Sequence, residues 1–253
     1  MTLSIIIPSF RQAHELDGAL KSISNQIFID YEVIIMDGAL DIDTADVVKV
    51  FQKLLIRFYQ ENDNGVYDAM NNGIKYAKGD WVYFMGCDDR LYDDNVLNKI
   101  SPNFAEKIDM FYGDVVLASN MKRYDGEFDL ERLLKEGNIC HQSIFYKRTV
   151  FDSLGYFNLK YKIWADWEFN TRCFRHTEFV IKYINMVIAL YNDVSGISVM
   201  PDKVFIEELP FYYLKLINQI EIDKKNLLNS KSFVIGNKLV KIMNIFGIDK
   251  LFK

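Results

Sequence analysis

The chain has 253 residues, half of them hydrophobic, and a formal net charge of −5. Such a chain builds a sizeable core, which excludes a disordered protein and suits one large α/β domain or one domain with an appendage. Its three cysteines, Cys87, Cys140 and Cys173, lie far apart with no CxxC, so neither a disulfide framework nor a zinc site is indicated, and a reducing cytoplasm fits.

The N-terminal run Met1-Thr2-Leu3-Ser4-Ile5-Ile6-Ile7-Pro8 lacks a basic leader and reads as a first strand over residues 4–8. Leu16, Ala19, Leu20 and Ile23 then follow helical spacing. Residues 33–36 form a second short buried strand ending at Asp37-Gly38. Thr44 is expected to cap a helix with the stripe Val47, Val48, Phe51, Leu54 and Leu55. Residues 56–59 are a third strand. Asn64-Gly65 marks a turn before a helix carrying Met70, Ile74 and Ala77, and Trp81-Val82-Tyr83-Phe84-Met85 is a fourth strand. Beyond it, residues 109–117 read as a strand, Asp125-Gly126 as a turn, and Leu130, Leu133 and Leu134 as a short helix. Residues 142–146 suggest a strand, 148–154 a helix closed by Gly155, 166–174 another helix, and 178–184 and 186–191 two late strands. No run of about 18 apolar residues exists, so no membrane span is expected.

The alternation of strands and helices in the first half implies a parallel sheet covered on both faces, with ligands beyond the carboxyl ends of its strands. Acids gather at that edge: Asp37 after the second strand, Glu61 and Asp63 after the third, Asp88 and Asp89 after the fourth. Two adjacent carboxylates repel unless a cation joins them, and Mg²⁺ or Mn²⁺ takes carboxylate oxygens while keeping positions open for phosphate. A solvated turn is the plainer explanation of the pair taken alone. No G-x-G-x-x-G follows the first strand and no G-x-x-x-x-G-K-[ST] occurs, so dinucleotide oxidoreductases and P-loop enzymes are disfavoured.

Several segments resemble the family 2 glycosyltransferases of GT-A fold, in particular bacterial enzymes of surface-polysaccharide synthesis. They are Ser4-Ile5-Ile6-Ile7-Pro8-Ser9-Phe10, Ile34-Ile35-Met36-Asp37-Gly38, the stretch from Glu61 through Tyr67-Asp68-Ala69-Met70-Asn71-Asn72-Gly73, and Gly79 through Cys87-Asp88-Asp89. Two later ones are His141-Gln142-Ser143 and Ala165-Asp166-Trp167-Glu168-Phe169. Three positions depart from the family pattern. Cys87 stands where a strict DxD motif has its first Asp, the loop after Gly38 is altered, and Ala165 replaces an acid before the candidate base.

The resemblance implies an α/β, GT-A-like, nucleotide-binding and mostly parallel sheet flanked by helices, with a C-terminal helical extension. The expected boundaries are 1–200 for the glycosyltransferase domain, with a nucleotide-sugar half (1–105) and an acceptor half (106–200), and 201–253 for the extension. It also implies roles. Asp89 holds Mn²⁺ or Mg²⁺, while Asp88 faces the ribose or the waters of the metal. Pro8, Ser9, Asp37 and Asp68 bind the nucleotide-sugar donor. His141 and Trp164 contact the acceptor, and Asp166 is the general base, with Glu168 as its rival. For Asp68 a polar brace with Asn71 and Asn72 on one helix face is an equal alternative, and for Asp166 the alternative is a helix N-cap. The expected reaction is an inverting, metal-dependent transfer from a donor, UDP-linked by expectation, to a glycan or lipid-linked glycan.

From Lys224 to Lys253 seven lysines stand against one acid, which leaves the body strongly acidic. An acidic body disfavours nucleic acid. The basic, apolar tail suggests an anionic membrane surface, hence a cytoplasmic protein peripheral at the inner face of the cell membrane; packing on the body or homodimerisation are the alternatives. Two other functions stay open: a non-catalytic nucleotide-sugar or glycan-binding protein, and a nucleotidyltransferase on a related fold.

Overall fold

Strands β1 (Leu3–Ser9) and β2 (Tyr31–Asp37) are buried along their whole length. Continuous burial is what a parallel sheet covered on both faces demands. This computed structural model describes residues 1–40, 42–124, 126–194 and 200–229. In chain order, helix α1 (Ala13–Ser24) follows β1, α2 (Ile42–Val50) follows β2, α3 (Val66–Tyr76) follows β3 (Ile56–Gln60), and β4 spans Trp81–Phe84. The second half contains β5 (Arg90–Leu91), α4 (Val96–Ile100), β6 (Met110–Leu117), β7 (Arg123–Tyr124), α5 (Leu130–Lys135), β8 (Ile144–Lys147), α6 (Arg148–Leu154), α7 (Ala165–Arg175), β9 (Ile181–Tyr191) and α8 (Lys203–Asn229).

The strands form one sheet in the order β3-β2-β1-β4-β8-β6-β9-β5, with β7 paired to β6. β3, β2, β1 and β4 run parallel. β8 then enters antiparallel between β4 and β6, and β9 runs parallel to β6, so the sheet as a whole is mixed. The strand order reverses at β1. Pairing of β1 with β4 stops at Ile6 and Phe84, while pairing with β2 continues to Ser9 and Asp37. Pro8 therefore sits where no β4 neighbour asks for its missing N–H. The crevice opened at this switch point is the ligand position of an open α/β sheet.

An apolar core joins α1, the buried strands and α4. It continues into stacked aromatic rings, with Phe111 and Phe145 at 4.8 Å and Tyr83 and Phe145 at 4.6 Å between centroids. Gly79 permits a close approach of backbones here, because a Cβ there would lie 2.6 Å from the backbone nitrogen of Ser4.

Four sequence expectations need correction. Thr44 is no cap: α2 begins at Ile42, Thr44 is buried within it, and Phe51, Leu54 and Leu55 fall beyond its end. Gln142 belongs to a one-turn helix over His141–Ser143, and β8 starts only at Ile144. Asp166 is not the N-cap of α7, which begins at Ala165 behind Trp164. The two late strands are one, β9, running unbroken through Asn185 beside an irregular β6. That irregularity falls at Gly113, whose missing side chain admits the carbonyl of Met186; a Cβ there would lie 2.4 Å from that oxygen. Of the expected Asp125-Gly126 turn, Asp125 lies outside the described residues; Gly126 has a φ of 90°.

The chain divides into two compact units, 1–205 and 206–253. In the second, α8 continues through Pro210 to Asn229, with Phe211, Leu214, Ile222 and Leu228 exposed. Of the basic tail assigned to 224–253, residues 230–253 lie outside the described ones. Among the described residues no helix is long and apolar enough to cross a membrane.

Candidate active site

A cleft of about 430 Å³ opens at the switch point. Pro8 near the end of β1 and Gln12 beyond it line the cleft, with Gly86, Cys87, Asp88 and Asp89 after β4, Tyr191 at the end of β9 and Asn192 just after it. Val66, Tyr67 and Met70 of α3, residues 138–142, and Ile163, Trp164, Asp166 and Trp167 around the start of α7 complete the lining.

Gly86 lets the two acids converge: a Cβ there would lie 2.6 Å from Oδ2 of Asp89 and 2.9 Å from Oδ1 of Asp88. Asp89 is 1% exposed. Its Oδ2 accepts from the Gly86 backbone N–H at 3.1 Å and from Nε2 of Gln142 at 2.8 Å, and its Oδ1 from the Asn192 backbone N–H at 3.1 Å. Asn192 also gives Nδ2 to Oδ2 of Asp88 at 2.8 Å. Burial pushes the Asp89 carboxyl above its usual range, and the Asp88 charge pushes the same way; the Asn192 N–H, His141 and Gln142 pull against them.

Both oxygens of Asp166 are also held. Oδ1 accepts from the Tyr67 hydroxyl at 2.7 Å and Oδ2 from Nδ2 of Asn138 at 2.8 Å. Nδ1 of His141 lies 3.7 Å from Oδ2, too long for a hydrogen bond. Burial, and then the Asp166 charge, keep Tyr67 a phenol by raising its pKa well above the ordinary value. In the first turn of α7 the Asp166 carboxylate also meets the positive end of the helix dipole. Trp164 and Trp167 pack at 5.2 Å, and Trp167 gives its indole N–H to the Leu133 carbonyl at 2.7 Å.

Of the nine site residues expected from sequence, the cleft brings together Pro8, Asp88, Asp89, His141, Trp164 and Asp166. Ser9 is buried at the end of β1. Asp37 is fully buried outside the lining, its carboxylate accepting from the Ala39 N–H at 3.3 Å and from Gln60 at 3.1 Å. Asp68 turns back to accept from the backbone and side chain of Asn64 at 3.0 and 2.9 Å. It shares no network with Asn71, which bonds the Phe157 backbone in both directions, nor with Asn72, which accepts from Lys75. Glu168 is tied to Arg172 at 2.9 Å and lies outside the lining. Sequence reasoning did not single out Tyr67, Asn138, Gln142 or Asn192. Tyr67 and Gln142 stand inside motifs already quoted, whereas Asn138 and Asn192 carry no local signal.

The donor set fits a hard divalent cation. Two converging carboxylates face a lining that holds three acids and no Lys or Arg among the described residues, so a diphosphate there requires another source of positive charge. Among the described residues no group of three or more His, Cys, Asp and Glu side chains is arranged to hold a metal, so a bound ion would take its remaining ligands from substrate and water.

A family model described as "Glycosyl transferase family 2" matches residues 4–173. The "PGL/p-HBAD biosynthesis glycosyltransferase" of Mycobacterium bovis and Mycobacterium tuberculosis is 41% identical over 215 residues, covering 82% of this chain and 83% of the relative. Among solved structures, S. aureus TarS 1–349 in complex with UDP-GlcNAc superposes with a TM-score of 0.70 at 18% identity, over 91% of this chain and 68% of that one. This chain spans 40% of the longer TarS chain. The mannosyltransferase PcManGT from Pyrobaculum calidifontis, in complex with GDP-Man and Mn²⁺, gives 0.59 at 17% identity over 75% and 56% of the two chains. These likenesses establish the GT-A fold expected from the sequence.

Proposed function

The chain belongs to glycosyl transferase family 2, and from that premise we propose that it is an inverting, divalent-metal-dependent enzyme moving one sugar from a UDP-linked donor to a glycan or lipid-linked glycan. One observation carries the reading: a single cleft is lined both by the Asp88–Asp89 pair and by Asp166 with two tryptophans.

The donor's nucleotide lies along Pro8, Ser9 and Asp88, while Asp37 and Asp68 brace the loops behind it. Asp89, with Asp88 beside it, holds Mn²⁺ or Mg²⁺, which when bound offsets the charge of the departing diphosphate. Trp164 and His141 orient the acceptor. Asp166 takes the proton of the attacking hydroxyl as that oxygen bonds to the anomeric carbon, and the bond to the diphosphate breaks with its electron pair leaving on the nucleotide. Asp166 is held by two donors, so its free lone pairs are aimed by the protein before substrate arrives. The tail from Lys224 onward brings the enzyme to an anionic membrane face, at about 1 kcal/mol per lysine near the surface.

A panel of UDP- and GDP-sugars, screened by thermal shift with and without Mn²⁺, identifies the donor, because a true ligand raises apparent stability. Turnover of that donor should be lost in Asp89→Ala and in Asp166→Asn. Wild-type-like transfer by Asp89→Ala would sink the metal assignment, and the same result for Asp166→Asn would sink the base.

A further inference from the structure

Behind the Asp166 carboxylate runs a line of hydrogen bonds that ends in the core. Nδ2 of Asn138 donates to Oδ2 of Asp166 at 2.8 Å. Oδ1 of Asn138 accepts from Nδ2 of Asn170 at 2.8 Å. Oδ1 of Asn170 accepts from the Tyr146 hydroxyl at 2.6 Å. Asn170 and Tyr146 are fully buried and lie outside the cleft lining. Asp166 and Asn170 are four residues apart on α7, hence on one face of it, and Asn138 clips its amide across that turn from the loop after α5.

The line has one consistent polarity. An ionised carboxylate only accepts, so Asn138 must turn its NH₂ toward Asp166 and its oxygen toward Asn170. Asn170 must then present its NH₂ to Asn138 and its oxygen to Tyr146, which must donate. Burial holds Tyr146 as the phenol, with its pKa well above the ordinary value. Each member thus fixes the direction of the next. Buried polar groups are costly unless satisfied, and this set is satisfied end to end.

We propose that Tyr146, Asn170 and Asn138 are positioning residues for Asp166: a buried relay that sets the direction of the Asn138 amide and so keeps an N–H donor on the carboxylate. The inference rests on the reading of Asp166 as the base, and it deepens that reading by naming what orients the group. The donor held on Oδ2 fixes the orientation of the carboxylate and leaves its remaining lone pairs for the acceptor hydroxyl. The other titratable groups facing Asp166 are Tyr67 from α3, His141 and Cys140 from the loop before β8, and Tyr146 from β8.

The test uses the ligand-free full chain and the side-chain amide of Asn138, observed by ¹⁵N–¹H NMR and identified by its loss in Asn138→Ala. In the wild type one proton of that NH₂ pair should lie well downfield of free asparagine at neutral pH and move back as acid protonates Asp166. A His141→Gln background separates this change from imidazole titration. Asp166→Asn should abolish the downfield position. Asn170→Asp should abolish it too, because an acid at 170 can only accept and turns the Asn138 amide around. Tyr146→Phe removes the far end of the line, three hydrogen bonds from the carboxylate, and should shift the proton upfield in a protein that still folds, which decides the matter if Asn170→Asp does not. An Asn138 pair unmoved by Tyr146→Phe, or by Asp166→Asn, overturns the relay. The readout needs no turnover, so the relay can fail while Asp166→Asn still shows the base to be essential, and the base can fail while the relay stands.

Discussion

Gln142 gives its Nε2–H to Oδ2 of Asp89 at 2.8 Å, joining the loop before β8 to the exit of β4. The bond crosses from one half of the sheet to the other and supports a carboxylate that is 1% exposed. Gln142→Leu leaves that buried acid short of a donor, which costs about 1.5–3 kcal/mol. For a chain of this size the melting temperature should fall by roughly 3–12 °C. Calorimetry or circular dichroism melts check it, and added Mn²⁺ should recover part of the loss if Asp89 faces the ion.

Tyr67 gives the matching prediction at the Asp166 carboxylate. Its hydroxyl lies 2.7 Å from Oδ1 of Asp166 and 2.6 Å from the Ile163 carbonyl. Tyr67→Phe keeps the ring packed on Phe157 and removes only the hydroxyl. Stability should fall by about 1 kcal/mol. Turnover should fall by about tenfold, in kcat more than in KM, because the lost contact aims the base and binds no substrate. Steady-state kinetics on the donor found by the thermal-shift screen separates the two; an effect confined to KM would contradict it.

The first half of the fold is legible because its signals are local. β1, β2 and β4 are short apolar runs, and α1 and α3 show their own period, so local pattern puts the acids at the strand exits; the stripe of α2 and the pairing of β4 with β1 are not local and not legible in this way. The second half depends on pairings between distant segments. Nothing near Asn185 says that β9 runs through it unbroken, because the reason lies at Gly113 in β6. The same limit governs the site. Asp88, Asp89 and Asp166 announce themselves by position within motifs, whereas Asn192 bonds Asp88 across a sequence separation of 104 residues. Helix-face reasoning grouped Asp68 with Asn71 and Asn72, but Asp68 caps back onto Asn64, Asn72 takes Lys75 of its own helix, and only Asn71 is drawn off by a distant partner, the Phe157 backbone.

The cysteines predict an alkaline limb of stability. Burial pushes the Cys87 thiol up to about 12, raises Cys173 further, and holds Cys140 well above the ordinary range. Above the free-thiol pKa the unfolded chain loses these protons while the native state keeps them. The thiols' contribution to native stability should therefore be constant below about pH 8.5 and fall as pH rises toward the folded values, by about 1.4 kcal/mol per pH unit for each thiol. Urea unfolding at pH 8 and pH 10 measures the slope, and Cys87→Ala should make it shallower. In the native protein at pH 8 the Cys87 thiolate fraction is roughly one in ten thousand, so a thiolate-specific reagent should label that residue only after unfolding.

Asp202 places the aromatic wall of the cleft from outside it. Its Oδ2 accepts from the backbone N–H groups of Ile163 at 2.9 Å and Trp164 at 3.3 Å, while Oδ1 accepts from the Phe205 N–H at 3.2 Å. One carboxylate thus caps the start of α8 and anchors the loop that presents Trp164, and Phe205 in turn packs against both Trp164 and Trp167. Asp202→Ala removes the cap, about 1 kcal/mol, and leaves two loop N–H groups without this acceptor. Asp202→Asn keeps an oxygen that caps nearly as well, so it should retain most of the stability. The chain has three tryptophans, and Trp81 is sealed in the core. A red shift of the emission in Asp202→Ala that is absent in Asp202→Asn would therefore report release of Trp164 and Trp167. An acceptor KM that rises in step with that shift would tie the clamp to substrate binding, and an unchanged emission spectrum in a folded Asp202→Ala protein would show that the aromatic wall stands without it.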